Sequence, residues 1–132
     1  MLLRSSLYQL LSLRSIDDGP APAALATVRL LPDSVIFQAH FPGEPIMPGA
    51  CIVQLIEEVA EEWLGCRLQL TKVNNLKFLA VIRPDETPEL DVQLTMANRA
   101  GESLQLRGAL QHGGTDFTKF SLTFSTTRDD HH

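Results

Sequence analysis

A ten-residue stretch over positions 40–49 brings together residue types that could remove a proton beside a carbonyl group. It reads His-Phe-Pro-Gly-Glu-Pro-Ile-Met-Pro-Gly. The imidazole of His40 can act as a base near neutral pH, and the prolines stiffen the backbone that follows it. Gly49 stands at the start of a predicted helix, where unpaired N–H groups and the helix dipole stabilise a developing oxyanion. The plainer alternative is a structural histidine beside an ordinary rigid turn.

The element that must position this stretch is a helix, which the pattern over residues 50–64 predicts. At about 100° per residue, apolar residues fill one half-turn and polar residues fill the other. The apolar side carries Ile52, Val53, Leu55, Ile56, Val59, Ala60, Trp63 and Leu64, and the polar side carries Gln54, Glu57, Glu58, Glu61 and Glu62. Gly65 supplies a stop signal. Because a run of glutamates on one helix face is usually solvated, the plainer interpretation of these carboxylates is that they face water.

Strand-like patterns precede and follow the helix. Before it, residues 7–11, 24–31 and 34–41 read as strands, and the last of these places His40 at its end. After it, apolar or alternating runs cover 67–83, 89–98, 103–111 and 117–124, with a bend at Asn74-Asn75 and turns at 84–88, 100–102 and 113–114. The predicted class is α+β, with one long central helix wrapped by a curved, mostly antiparallel sheet. We expect a single domain over 1–127 and a charged C-terminal tail over 128–132.

Composition limits the classes of function. The chain has 132 residues, of which 44% are hydrophobic and 20% charged, which suits one domain with a proper core. The formal net charge of -5 makes a general nucleic-acid binder a poor fit, because phosphate binding needs excess positive charge. No apolar run approaches the ~18 residues that a membrane helix needs. We therefore expect neither nucleic acid nor a membrane span among its interactions.

The N-terminus and the cysteines indicate the compartment. Gln9 and Arg14 interrupt the apolar stretch that a secretory signal would need, so this segment is interpreted as a first strand. Cys51 and Cys66 flank the predicted helix. Fifteen helical residues span about 22 Å, and a disulfide needs Cα atoms within ~7 Å, so the two cannot pair within one chain. Free thiols suit a reducing cytoplasm, where we expect the protein to be located.

The stretch over 40–49, followed directly by an apolar helix, resembles the signature of the FabA/FabZ-type 3-hydroxyacyl-[acyl carrier protein] dehydratases. The six defining positions of that signature are His40, Phe41, Pro42, Pro45, Pro48 and Gly49. Residues 75–85 resemble the family's strand and turn after the helix more loosely. The resemblance implies the family's hotdog fold over nearly the whole chain.

The same resemblance implies an activity and a site. The histidine of one subunit would remove the α proton of a 3-hydroxyacyl thioester, giving a trans-2-enoyl product in fatty-acid or polyketide (aryl-polyene-like) biosynthesis. The N–H of Gly49 would bind the thioester carbonyl, and Phe41, Pro48 and Ala50 would contact substrate. The implied partners are an acyl carrier protein or an acyl-CoA thioester. The implied assembly is a homodimer or a higher oligomer of dimers, with no metal and no cofactor beyond the carrier's phosphopantetheine arm.

The chain departs from the family at position 54. The family's acid lies fourteen residues beyond the histidine as Glu or Asp, and here that residue is Gln54, which cannot act as a general acid. Three explanations stay open. Glu57 or Glu58, about one helical turn away, could replace the acid; His40 could work with a water held by Gln54; or the protein could bind acyl thioesters without dehydrating them, as a subunit in a heterodimer with an active homologue. A hotdog thioesterase, with Gln54 holding a hydrolytic water, is a related alternative.

Two further features allow a functional and a plainer interpretation. Cys51 lies in the first helical turn, where the dipole would lower its pKa and make it nucleophilic, or it is a small buried residue. Residues 63–84 contain no Asp or Glu but carry four basic residues, Arg67, Lys72, Lys77 and Arg83. Because acyl carrier proteins are strongly acidic, these four would form the docking surface; the plainer interpretation is a strand pair with solvated basic side chains.

Overall fold

The structure, a computed structural model, describes residues 3–16, 19–40 and 43–127, without the side chains of His40 and Thr127. Two helices and six strands lie within these residues. In chain order they are β1 (Tyr8–Ile16), β2 (Ala23–Leu30), α1 (Val35–His40), α2 (Gly49–Leu64), β3 (Arg67–Phe78), β4 (Glu89–Ala100), β5 (Ser103–His112) and β6 (Thr115–Thr127). Neither helix in the described ranges is long and apolar enough to cross a membrane.

The strands form one sheet that curls around α2. Their order is β1-β2-β4-β5-β6-β3, and every neighbouring pair is antiparallel. Helix α2 contacts both edge strands, β1 and β3, although four strands separate them in the sheet. Register shifts in four of the five pairings add the local twist that such curvature needs. The predicted class, a long helix held by a curved antiparallel sheet, is confirmed.

The core lies between the apolar side of α2 and the inner face of the sheet. The helix buries Ile52, Leu55, Ile56, Val59 and Ala60. The alternating strands bury every second residue, including Leu90, Val92 and Leu94 on β4, Leu104 and Leu106 on β5, and Leu122 and Phe124 on β6. The buried side chains, spaced every two residues on the strands and about every 3.6 residues on the helix, therefore pack together in one layer.

The predicted strand over 34–41 is wrong, because the structure has the short helix α1 there. A strand would have placed Val35 and Phe37 on the same face. Instead Val35 is 78% exposed and Phe37 is fully buried, which fits helical spacing. The buried Ser34 begins the turn, since its Oγ accepts a hydrogen bond from the Ile36 N–H at 3.3 Å. His40 is thus the last residue of a helix and not the end of a strand.

The long helix and its surroundings agree closely with the sequence. Helix α2 begins at Gly49, one residue earlier than predicted, and ends at Leu64. Gly65 adopts the left-handed conformation at φ 68°, and its N–H donates to the Glu61 carbonyl at 2.9 Å. The predicted bend at Asn74-Asn75 coincides with a register shift between β3 and β6. Both cysteines are free thiols, and the predicted tail over 128–132 lies outside the described residues.

Candidate active site

A pinned loop sets the start of α2. Pro48 is extended at φ -65° and ψ 147° and precedes the first helical residue. One residue earlier, Met47 is buried, and its N–H donates to the Ile82 carbonyl at 2.9 Å. Glu44 forms an ion pair with Arg83 at 3.2 Å. The loop is therefore tied at two points to the segment that follows β3, which fixes the position of the helix N-terminus.

Gly49 allows an aromatic ring to lie against the first turn of α2. A Cβ at this position would stand 3.0 Å from Cζ of Phe78, closer than side chains normally approach. Glycine is thus favoured here by the close approach of the ring and not by its own backbone angles. The first N–H groups of a helix have no acceptor within the helix, so the helix offers donors beside this ring.

An apolar groove of about 310 Å³ begins at the same place. Its lining comes from the pinned loop, the first turn of α2 and the segment after β3, namely Ile46, Met47, Gly49, Ile52 and residues 78–82. Phe78, Leu79 and Val81 are each about half exposed along it. A groove of this character can hold an alkyl or acyl chain while a polar end group lies at the helix N-terminus.

The polar side of α2 is not simply solvated, because Glu58 is 94% buried. Its two carboxylate oxygens receive hydrogen bonds from four donors in the described residues. These are Leu3 N at 2.8 Å and Gln54 Nε2 at 2.9 Å on Oε2, and Arg4 N at 3.1 Å and Tyr8 Oη at 2.9 Å on Oε1. The plainer interpretation, in which the glutamates face water, is wrong for this residue.

The hydrogen bonds of Glu58 limit what its carboxylate can do. A carboxylate has about four acceptor positions, and four donors already use them. The pKa of Tyr8 is raised well above its ordinary value, first by burial and then by its hydrogen bond to Glu58 and the charge of that carboxylate. Tyr8 therefore stays a donor. This geometry suits a supporting role for Glu58 better than that of a replacement acid.

Glu57 and Glu61 occupy different environments on the same side of the helix. Burial, followed by repulsion from Glu61, raises the pKa of the half-buried Glu57 carboxyl, although a backbone hydrogen bond from Leu70 acts in the opposite direction. Glu61 accepts a hydrogen bond from Leu68 N at 2.9 Å and so holds the beginning of β3. Both carboxylates thus serve the junction between α2 and β3.

The structure brings together only part of the predicted site. Pro48, Gly49 and Ala50 lie at the groove end of α2, where Pro48 is half-buried and Ala50 is exposed. Gln54 follows on the same helix, half-buried beside Glu58. The backbone of His40 ends α1, but its side chain lies outside the described part of the chain, as does the whole of Phe41. Their predicted roles stay predictions.

Sequence reasoning missed two residues that shape this region. Phe78 lay in the segment that resembles the family, but nothing in its pattern indicated that its ring would cover Gly49. Tyr8 is the only tyrosine of the chain and falls in an apolar stretch. A buried tyrosine needs a hydrogen-bond partner, so a search for an acceptor could have found Glu58.

The expected lowering of the Cys51 pKa is wrong, because burial raises the pKa of this thiol. Cys51 lies half-buried in the first turn of α2 and packs against the core. The cause is the loss of hydration of the thiolate on burial. The plainer interpretation, a small packing residue, fits this position.

The four basic residues of the predicted docking surface do not share one environment. Lys72 and Lys77 are exposed on the edge strand β3, and Arg67 is exposed at its beginning. Arg83 is instead engaged by Glu44. On the neighbouring strand Lys119 pairs in register with Lys77, which adds a fifth cation to this side of the sheet.

The fold and the groove define a class of protein, and the comparisons identify it. Residues 18–116 match the ApeI-like family, described as ApeI dehydratase. The chain belongs to this family of dehydratases, and its resemblance to the FabA/FabZ type is confirmed.

Curated relatives carry the name 3-hydroxyacyl-[acyl-carrier-protein] dehydratase FabZ. The protein of Pediococcus pentosaceus is 30% identical over 100 residues, covering 70% of this chain and 67% of the relative. That of Lactiplantibacillus plantarum is 28% identical over 102 residues, covering 71% and 69%. The match to the family is therefore broad, with about two thirds of each relative included.

Solved structures show the fold. The dehydratase heterocomplex ApeI:P from Xenorhabdus doucetiae aligns with a TM-score of 0.66 and 16% identity, over 89% of this chain and 96% of that one. A putative thioesterase, yhdA from Lactococcus lactis, aligns with a TM-score of 0.69 and 8% identity, over 92% and 94%. The predicted hotdog fold is confirmed.

Proposed function

We propose that this chain dehydrates 3-hydroxyacyl thioesters, carried on an acyl carrier protein, to trans-2-enoyl thioesters. The observation that carries the proposal is the N-terminus of α2 at Gly49, which adjoins an apolar groove of about 310 Å³ in a dehydratase-family chain. The relatives named as FabZ dehydratases support the substrate class. The pathway is fatty-acid or polyketide biosynthesis in the cytoplasm.

The reaction needs a base, an oxyanion donor and a route for the leaving hydroxyl. The thioester carbonyl binds the N–H of Gly49, and the acyl chain follows the groove past Ile52. His40 takes the α proton, and the electron pair passes through an enolate stabilised at Gly49. The α,β double bond forms as the 3-hydroxyl C–O bond breaks. The leaving oxygen receives the proton back from the His40 imidazolium and departs as water, while Phe41, Pro48 and Ala50 contact substrate.

Gln54 orients the hydroxyl or an ordered water by hydrogen bonding, because an amide cannot supply a proton. As the family resemblance implies, the site is completed between two protomers, so that Gln54 of the partner subunit serves the other chain's His40. A homodimer, or a larger assembly of dimers, supplies this arrangement. The proposal includes no metal and no organic cofactor, because the pantetheine arm belongs to the carrier.

The test follows the mass of a panel of 3-hydroxyacyl carrier proteins during incubation with the purified protein. Loss of one water from the acyl group is expected with wild type. Replacing His40 by Ala should lower the rate by about 10²–10⁴, the usual contribution of a general base. Water loss that persists unchanged in His40→Ala would contradict the proposed mechanism. Release of free carrier thiol in place of water would identify a thioesterase.

A second candidate function is an acyl-thioester-binding subunit that supports an active homologue in a heterodimer. It is favoured by Gln54 at the acid position and by Glu58, whose oxygens are engaged by four donors. The solved heterocomplex ApeI:P shares the fold. The mass assay separates the two candidates: the second predicts no water loss with wild type and water loss with Gln54→Glu.

The carrier docks on the basic side of β3 under either candidate. The exposed Lys72 and Lys77, with Arg67 nearby, face an acidic partner with favourable long-range attraction. Arg83 contributes less, since Glu44 pairs with it. Reversing the charges with Lys72→Glu and Lys77→Glu should weaken carrier binding and remove most of its salt dependence. Reversing the exposed Arg99, three strands away on β4, is the matched control; equal losses in both would contradict this docking surface.

A further inference from the structure

We propose that Glu58 is a positioning residue that fixes the orientation of the Gln54 side-chain amide, and that the N-terminal segment over residues 3–8 holds Glu58 in place. The inference rests on the proposed function, because it concerns how Gln54 meets the substrate. It assigns a role to a buried carboxylate that the reaction itself does not use.

The orientation of Gln54 follows from hydrogen-bond polarity. Gln54 and Glu58 stand four residues apart on α2, and Gln54 Nε2 donates to Glu58 Oε2 at 2.9 Å. An ionised carboxylate only accepts hydrogen bonds, so the NH₂ group and not the carbonyl oxygen of Gln54 must face it. The amide oxygen Oε1 is then presented on the side away from Glu58. A neutral partner such as an amide or a hydroxyl both donates and accepts hydrogen bonds, so it would allow the Gln54 amide to flip. A carboxylate only accepts, so it does not allow the flip.

The carboxylate is itself held from a distant part of the sequence. Three of its four donors come from the N-terminal segment, two as backbone N–H groups, of Leu3 and Arg4, and one as the Tyr8 hydroxyl. Leu3 and Tyr8 are buried, and the Arg4 guanidinium pairs with Glu62 at 3.2 Å on the same helix. The segment therefore donates hydrogen bonds to both carboxylate oxygens of Glu58. Buried, charge-assisted hydrogen bonds of this kind are the strong ones.

This arrangement defines the chemistry that Gln54 offers. One Nε2 hydrogen of Gln54 is donated to Glu58, so the amide is held in one orientation in which Oε1 can accept from the 3-hydroxyl or an ordered water and the second Nε2 hydrogen remains a donor. An amide held in one orientation fixes the direction of the 3-hydroxyl by hydrogen bonding, while the proton that the leaving oxygen needs comes from the His40 imidazolium. Glu58 therefore acts on the reaction through Gln54, and the segment over 3–8 acts through Glu58.

The first test needs no turnover. ¹H–¹⁵N spectra resolve the two Nε2 protons of Gln54, assigned by their loss in Gln54→Ala. One proton should be strongly deshielded relative to the amide of the exposed Gln69, as a bond to a carboxylate requires. Glu58→Gln should shift this resonance, and Glu62→Gln, four residues on and exposed, should not. A Gln54 amide that resembles Gln69 in wild type overturns the proposal even if Glu58→Gln fails to fold.

The second test asks whether Glu58 acts through Gln54 during turnover. Glu58→Gln should lower kcat about tenfold with a smaller change in KM, and the same substitution in a Gln54→Ala background should have no further effect on kcat. Additive losses in the double variant would assign Glu58 a merely structural role and overturn the proposal. If wild type shows no turnover, the proposed function fails, while the spectra still decide the positioning of Gln54.

Discussion

The first turn of α2 and the middle of its polar side offer opposite surroundings to their polar groups. At Gly49 the helix begins beside half-exposed apolar side chains, with Phe78 against the glycine and a groove leading away. Four residues beyond Gln54, the carboxylate of Glu58 is buried and receives four hydrogen bonds from residues the structure describes. The helix start adjoins a groove that can hold a ligand, whereas the carboxylate of Glu58 accepts hydrogen bonds from groups within the protein.

The difference separates a binding region from its support. Backbone N–H groups at a helix start that adjoin an apolar groove can stabilise negative charge on a bound carbonyl. A carboxylate whose lone pairs are all engaged can only hold its neighbours in place. Under the proposed function, the helix carries reaction chemistry at Gly49 and Gln54, and Glu58 keeps the Gln54 amide in one orientation.

The largest expected effect is on stability, at Glu58. Replacing it by Ala leaves buried donors without an acceptor, each costing ~1–3 kcal/mol, so the free energy of unfolding should fall by about 3 kcal/mol or more. Glu62→Ala is the matched control, because its exposed pair with Arg4 contributes less than ~1 kcal/mol. Denaturant titration of both variants measures the difference. Equal losses would mean that the buried Glu58 and the exposed Glu62 contribute equally to stability, which would contradict a supporting role for Glu58.

A smaller effect, on activity, is expected at Gly49. An Ala Cβ would lie 3.0 Å from Cζ of Phe78, so the ring must move by a few tenths of an ångström at the mouth of the groove. We expect kcat/KM to fall roughly tenfold, which is ~1.4 kcal/mol, with stability changed by less than about 1 kcal/mol. The loss should shrink in a Phe78→Leu background, which leaves room for the methyl group. If the loss of kcat/KM is as large in the Phe78→Leu background, contact with the Phe78 ring is not its cause.

The smallest expected effect concerns pH and the half-buried Glu57. Since burial raises its folded-state pKa above the ordinary value of 4.5, the folded protein binds this proton more tightly than the unfolded chain does. Stability is therefore lost as pH rises through and above that ordinary value. Glu57→Gln should give a slightly higher Tm than wild type near about pH 7 and the same Tm near about pH 4. A lower Tm at neutral pH would show that ionised Glu57 stabilises the fold.

Patterns that depend on neighbours in sequence could be predicted well. The helix over 49–64, its stop at Gly65 and the alternating strands after it all follow from local periodicity and turn residues. The segment over 34–41 could not, because its six helical residues depend on the burial of Phe37 and the turn at Ser34, while its alternation imitates a strand. Short segments are where tertiary packing overrides local pattern.

The site divides in the same way. Gly49 could be identified because a motif and a helix start coincide there. The environment of Glu58 could not, because its donors Leu3, Arg4 and Tyr8 lie 50 to 55 positions away along the chain. The direction of the Cys51 pKa shift could not be predicted for a related reason. The place of Cys51 in the first helical turn follows from local sequence, but the burial of its thiol depends on the whole core.

The most direct measurement is a crystal structure with a 3-hydroxyacyl-pantetheine amide, in which a stable amide replaces the thioester. We expect the ligand carbonyl oxygen to lie within about 3 Å of Gly49 N, with the acyl chain in the groove beside Ile52 and Phe78. A ligand whose carbonyl binds elsewhere, while the first turn of α2 remains covered by the Phe78 ring, would contradict it.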